Sequence, residues 1–302
     1  MRIVLLLFFV SILANMQAQD VKVSAGKVVR HALFQSEFVD ARNVDIWLPD
    51  AYSADKQYAV LYMHDGQMLF DASTTWNNQE WGVDEVINTL TKNRRIRDCI
   101  VVGIWNNGDK RNSEYFPQRS WEMISKDRQQ EILNKEEVYN NPVESEHGLL
   151  ADNYLRFIVR ELKPFVDSHY STKADKANTF IMGSSMGGLI SAYAICEYPG
   201  IFGGAVCMST HWPATEGIVL NYLAQNLPNP KTHRIYFDYG TATLDALYEP
   251  YQLKVDRMMV KHGFVKDKSF KSEKFEGEPH TEDAWWKRLH IPLEFMLRKN
   301  QR

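Results

Sequence analysis

The hydrophobic pattern of this chain changes period as it is read. Residues 27–38 and 43–48 alternate between apolar and polar, as in an antiparallel hairpin at the edge of a sheet. Residues 59–63 (Ala-Val-Leu-Tyr-Met) are almost wholly apolar, the signature of a strand covered on both faces. Helical and strand-like runs then alternate: a helix over 82–91, a strand over 99–105, a long amphipathic helix over about 150–168, a strand over 179–182 and a helix over 189–197. Strands over 204–208 and 234–239, a helix over 251–261, a strand over 269–275 and a closing helix over 282–297 complete the pattern. Such alternation predicts an α/β domain with a mostly parallel central sheet and helices on both faces. Residues 106–147 fit neither period. The segment is long, polar and studded with aromatics, and is expected to be a lid or a substrate-binding insertion.

The 302 residues show no repeat and no break in composition, so residues 20–302 are expected to form one domain. Lys and Arg (35) nearly balance Asp and Glu (38) and are scattered, which leaves no electrostatic footprint for nucleic acid. The short basic run at 92–97 follows a predicted helix and reads as its solvated C-terminal end. At the N-terminus a positive charge (Met1-Arg2), an apolar stretch (3–14) and a short polar tail containing Ala18 read as a secretory signal peptide over 1–19. The stretch is shorter than a spanning helix, so export without stable membrane insertion is expected. Cys99, Cys196 and Cys207 have no metal-ligand spacing and are expected to be buried free thiols. No metal or cofactor is expected.

The chemistry centres on Gly183-Ser184-Ser185-Met186-Gly187, which joins an apolar strand to a helix. That is the strand, sharp turn and helix of a nucleophile elbow, with Ser185 at its apex. A serine hydroxyl needs a base within hydrogen-bond reach and a third group to orient that base. In α/β-hydrolases the acid and then the histidine follow the serine. Of the nine histidines, His280 sits in a loop between the last strand and the last helix, where that base belongs. The acid should follow the preceding strand. Asp245 is the first choice, after the turn at Gly240, with Asp238 and Glu249 as alternatives. Backbone donors for the oxyanion are expected from Met186, which follows the nucleophile, and from Gln67, in the loop His64-Asp65-Gly66-Gln67 after an early strand.

These residues together resemble the esterase D-like "putative esterase" family of α/β-hydrolases. The resemblance covers most of the chain after the signal segment. It rests on residues 60–67 (Val-Leu-Tyr-Met-His-Asp-Gly-Gln), on 81–85 (Trp-Gly-Val-Asp-Glu), on 181–188 (Ile-Met-Gly-Ser-Ser-Met-Gly-Gly), on Gly240-Thr241 and on His280 followed by Trp285. It implies an α/β-hydrolase fold and acyl-ester chemistry, with these positions as oxyanion loop, elbow, acid turn and base. The family includes carbohydrate esterases and siderophore esterases, so the resemblance leaves the substrate open. Trp76, Trp81, Trp105, Trp121 and Trp212 are placed on the active-site side, where rings pack well against sugars or aromatic acids. Trp81, His211 and Trp212 are the expected substrate contacts, and Glu114 and Arg119 are candidates for polar ones. The substrate expected is an acetyl or feruloyl ester of a carbohydrate, and a siderophore ester is the alternative.

Overall fold

The apolar runs become the middle of a single sheet. The computed structural model describes residues 21–135, 143 and 146–299, so the expected signal segment and part of the 106–147 segment lie outside it. The strands are β1 (Lys27–Phe34), β2 (Arg42–Leu48), β3 (Ala59–His64), β4 (Cys99–Ile104), β5 (Thr179–Ser184), β6 (Gly204–Met208), β7 (Arg234–Gly240) and β8 (Phe270–Phe275). They lie in the order β1-β2-β4-β3-β5-β6-β7-β8. The edge hairpin is antiparallel, and β2 also runs antiparallel to β4; the pairings from β4 through to β8 are all parallel. The α/β fold with a mostly parallel sheet is therefore as the pattern predicts.

This order places the chemistry. The chain leaves β3 for β4 on one side and returns to β5 on the other, so a crevice opens beyond the carboxyl ends of β3 and β5. The loop after β3 carries Gln67 and the turn after β5 carries Ser185. Both reach the same crevice because of the crossover.

The helices are α1 (Val83–Lys92), α2 (Arg111–Tyr115), α3 (Gln118–Glu122), α4 (Lys126–Leu133), α5 (Ala151–Phe157), α6 (Lys163–His169), α7 (Met186–Glu197), α8 (Val219–Asn226), α9 (Glu249–Lys261), α10 (Glu282–Arg288) and α11 (His290–Leu297). Alternate residues of each central strand feed two cores. Val60, Tyr62, Val102 and Ile181 pack with α7 on one face, and Leu61, Met63, Val101 and Met182 pack with α1 and α11 on the other. The predicted helix over 150–168 is continuous but contains one wide turn, Ile158–Leu162. The closing helix is broken at Leu289 into α10 and α11. All three cysteines are buried and free.

Residues 106–133 are packed structure rather than a loose cover. They hold α2, α3 and α4, and Tyr115 and Phe116 are fully buried. The anchor is a sealed ion pair in which Arg42 of β2 donates to both oxygens of Glu114, at 2.7 and 2.6 Å. Glu114, a candidate substrate contact on sequence grounds, is thus spent inside the protein, because a buried carboxylate requires a paired cation. Removing one partner strands the other. Glu114→Ala should lower unfolding free energy in urea by about 3 kcal/mol.

Candidate active site

β5 ends at Ser184 and α7 begins at Met186, so Ser185 alone makes the turn, at φ 56° and ψ −123°. A non-glycine residue in this region carries strain of about 1–3 kcal/mol that its surroundings must enforce. They do so through the backbone. Ser185 N–H donates to Met208 O at 3.0 Å, and Ser185 O accepts from the N–H groups of Gly188 and His211 at 3.0 and 3.2 Å. The glycines let strand and helix cross closely. A Cβ on Gly183 would lie 2.7 Å from the backbone carbon of Gly187, and one on Gly188 would lie 2.7 Å from Thr210 Oγ1.

His280 and Asp245 are brought together. Nδ1 of His280 donates to Asp245 Oδ1 at 2.5 Å. The other oxygen, Oδ2, accepts from Ser209 Oγ at 2.5 Å and from Gly240 N–H at 2.6 Å. Burial works to raise the Asp245 pKa. The hydrogen bonds from His280, Ser209 and Gly240 outweigh it and hold the carboxyl below its usual range. The two loops are also joined through their backbones. Thr241 and Ala242 both donate to Glu278 O at 3.1 Å, and His280 N–H donates to Thr243 Oγ1 at 2.9 Å. Gly240 permits this approach, since a Cβ there would sit 2.0 Å from Glu278 O. The alternative acids are committed elsewhere. Asp238 pairs with Arg288 at 3.1 Å, and Glu249 pairs with Lys274 at 3.1 Å.

On the far side of the crevice, Gly66–Met68 form a short 3-10 turn after Asp65, which adopts φ 56°. Gly66 lies against β4, where a Cβ would come within 2.5 Å of Gly103 C. Asp65 accepts from Arg111 Nε at 2.7 Å, Arg111 Nη2 at 2.8 Å and Asn106 Nδ2 at 2.7 Å, which fixes the turn. Met186 is the first residue of α7, and its N–H has no acceptor within the helix.

Several residues at this centre were not legible as such in the sequence. Tyr248, fully buried, hydrogen-bonds with His211 Nδ1 at 2.8 Å, lies within hydrogen-bonding reach of Ser185, and sets its ring edge-on to His280. Burial, with the Asp245 charge beside it, keeps its phenol protonated. Its spacing of three residues from Asp245, on one face of a helical turn, was the available signal. Ser209 offered no local signal. Its hydroxyl accepts from Trp285 Nε1 at 3.0 Å and from Arg288 Nη2 at 2.8 Å.

The predicted aromatic contacts divide. His211 is half-buried beside Tyr248, as expected for a residue facing the crevice. Trp212 and Trp81 do not line it. Trp212 is 1 % exposed, with its Nε1 donating to Gln252 Oε1 at 2.8 Å. Trp81 is 3 % exposed and lies against Trp285 at 5.3 Å, while Trp285 meets His280 edge-on at 5.0 Å. Large rings next to a strand end found more apolar area in the core than in the crevice, so Trp81 backs the site from behind. Trp105 donates to Asp45, Trp121 packs on the core, and Trp76 is exposed. Arg119 pairs with Glu197 at 3.1 Å.

Sequence comparison places this geometry. Residues 36–289 match the family described as "Putative esterase". The chain belongs to that family. It is accordingly a carboxylic ester hydrolase. A relative from Bacillus subtilis (strain 168), "Uncharacterized protein YbbA", is 24% identical over 272 residues, covering 86% of this chain and 94% of that protein. Among solved structures, a ferulic acid esterase superposes with a TM-score of 0.63 at 17% identity, covering 90% of this chain and 97% of that one. The enterobactin esterase FES from Shigella flexneri superposes with a TM-score of 0.65 at 16% identity, over 92% of this chain and 60% of that one.

Two buried histidines contribute stability that acid removes. Burial lowers the His211 pKa to about 4 and the His64 pKa to about 3. Below the unfolded value near 6.5 the unfolded chain takes up protons that the folded protein refuses, so stability falls as pH drops. The depressed Asp245 extends the loss to lower pH. Glu80 and Asp84, raised by burial to about 7, act in the opposite sense over the same range, so the contribution of His211 shows as a difference between wild type and variant. Between pH 6.5 and 4, wild type should lose roughly 2–3 kcal/mol more stability than His211→Asn, read from urea midpoints, and equal changes in the two proteins would contradict this assignment.

Proposed function

We propose that this enzyme is an exported serine esterase in which Ser185, His280 and Asp245 form a catalytic triad acting on acetyl or feruloyl esters of carbohydrates. The observation that carries the triad is the 2.5 Å contact between His280 and a sealed, ionised Asp245, with Tyr248 meeting both the His280 ring and Ser185, a serine held at positive φ. Ser185 Oγ attacks the ester carbonyl while His280 Nε2 takes its proton. Asp245 holds the tautomer that leaves Nε2 free to accept, and it stabilises the imidazolium without taking the proton itself. The N–H groups of Met186 and Gln67 receive the oxyanion. The alcohol leaves with the proton from His280, and water then cleaves the acyl-enzyme with His280 again as base. Tyr248 braces Ser185 and His211 in the resting state.

The half-buried imidazole of His211, backed by Tyr248, supports a substrate rich in hydroxyl groups. The N-terminal charge, apolar run and small-residue tail support export. A siderophore ester is the second reading. It is favoured by the Arg111 guanidinium, which is fixed by Asp65 and close enough to His211 to depress its pKa, and which would suit a catechol or anionic acyl group.

The test is hydrolysis of p-nitrophenyl acyl esters, acetylated xylan and feruloyl sugars. Ser185→Ala should reduce turnover by about 10,000-fold or more, and Asp245→Asn by about 1,000- to 10,000-fold, with little change in KM. A preference for feruloyl or acetyl sugars names the substrate. Folded wild type that turns over none of these esters removes the carbohydrate reading and leaves the siderophore ester to be tried.

A further inference from the structure

At the opposite edge of the sheet, beyond the amino ends of β5 to β8, lies a cavity of about 1040 Å³ lined by Phe180, Gly203, Arg234 and Ser269 among others. β5 separates it from Ser185 by roughly 16 Å at the rise of an extended strand. Its charge is one-sided. Arg97, Arg234 and Arg298 line it together with Lys173, Lys231, Lys268 and Lys299, and no carboxylate does. Among the described residues, none of these three arginines and four lysines forms an ion pair. They gather at one cavity in a chain whose Lys and Arg are outnumbered by Asp and Glu.

The three guanidinium groups are held in place by single edges. Arg234 Nη2 donates to Met296 O at 2.7 Å, Arg298 Nη2 to Lys268 O at 3.1 Å, and Arg97 Nη1 to Asn178 Oδ1 at 2.6 Å and Ala177 O at 3.2 Å. Their other nitrogens have no partner among the described residues. The nearest acid acting on Arg97, Asp175, spends its two oxygens on Ala177 N–H and Asn178 Nδ2. Burial and the neighbouring Arg298 and Arg97 push the Arg234 pKa down to about 10, the mark of like charges crowded without a counter-ion. The basic run at 92–97 is therefore more than a solvated helix end. Arg95 pairs outward with Glu294, whereas Arg97 turns into this cavity.

We infer that this cavity is a second binding site, separate from the esterase centre, for a ligand carrying several phosphate or sulfate groups. Arginine forks held by one edge present paired N–H donors that match the oxygens of such groups. The surrounding lysines add the field that draws the anion in. The volume admits several such groups, whether on a free oligophosphate or on a lipid headgroup.

Titration calorimetry with sodium tripolyphosphate tests the inference at low ionic strength. The purified wild type is compared with the Arg298→Gln/Lys268→Gln double variant, both residues being exposed. Wild type should bind one tripolyphosphate saturably, and the double variant about tenfold more weakly or worse, with its ester turnover unchanged as proof of an intact fold. Ser185→Ala should bind like wild type. Sedimentation with phosphatidylglycerol vesicles separates the sources: capture that tripolyphosphate competes away names a headgroup, and binding confined to tripolyphosphate names a free oligoanion. Absence of saturable binding by wild type, or equal binding by the double variant, overturns the inference.

Discussion

A negative charge buried under the sheet's carboxyl edge organises the C-terminal half of this molecule. Asp245 is 1 % exposed, and a carboxylate in such a place is tolerated only when its oxygens are fully bonded. Its donors come from three separate segments: Ser209 after β6, Gly240 at the end of β7, and His280 in the loop before α10. Each is positioned by something else. Ser209 is held by Trp285 and Arg288, Gly240 by its close approach to Glu278, and His280 by Thr243 and by the edges of Tyr248 and Trp285. His280 and Asp245 are therefore held for the same reason that the fold is stable there.

The N-terminal half solves a complementary problem. Gln67 sits on a turn whose own residues have little internal support. The Asp65–Arg111 pair fixes that turn from outside, and the Arg42–Glu114 pair fixes the segment that supplies Arg111. Residues 106–133 thus fix the turn after β3 through ion pairs, which explains why a stretch without clear periodicity is nonetheless packed. The basic cavity at the other end of the strands shows the opposite economy: charges left uncompensated by the protein.

The central elements were legible because burial on both faces leaves an unmistakable apolar run, and β3, β4, β5 and β6 are all of that kind. The elbow was legible because the close crossing of β5 and α7 admits only glycine at 183. His280 was found by its place between the last strand and helix, and Asp245 by the turn at Gly240. What could not be read was which of three carboxylates faces the histidine. That depended on Arg288, fifty residues beyond Asp238, claiming Asp238 for itself. The tryptophans misled for a related reason: a ring at a strand end turns inward or outward according to neighbours that are distant in sequence.

The sequence by itself determined the α/β alternation, the strained serine between strand and helix, and the chemical kinds of its partners. These are consequences of local period and of steric limits on the backbone, which act over a few residues. Tertiary structure alone decided the rest: the crossover that brings the turn after β3 to the start of α7, the donors that keep Asp245 ionised, the burial of Trp81 and Trp212, and the gathering of Arg97, Arg234 and Arg298 at one cavity. Each of these depends on pairing across long sequence separations, where burial and charge compensation select the partner and no local pattern records it.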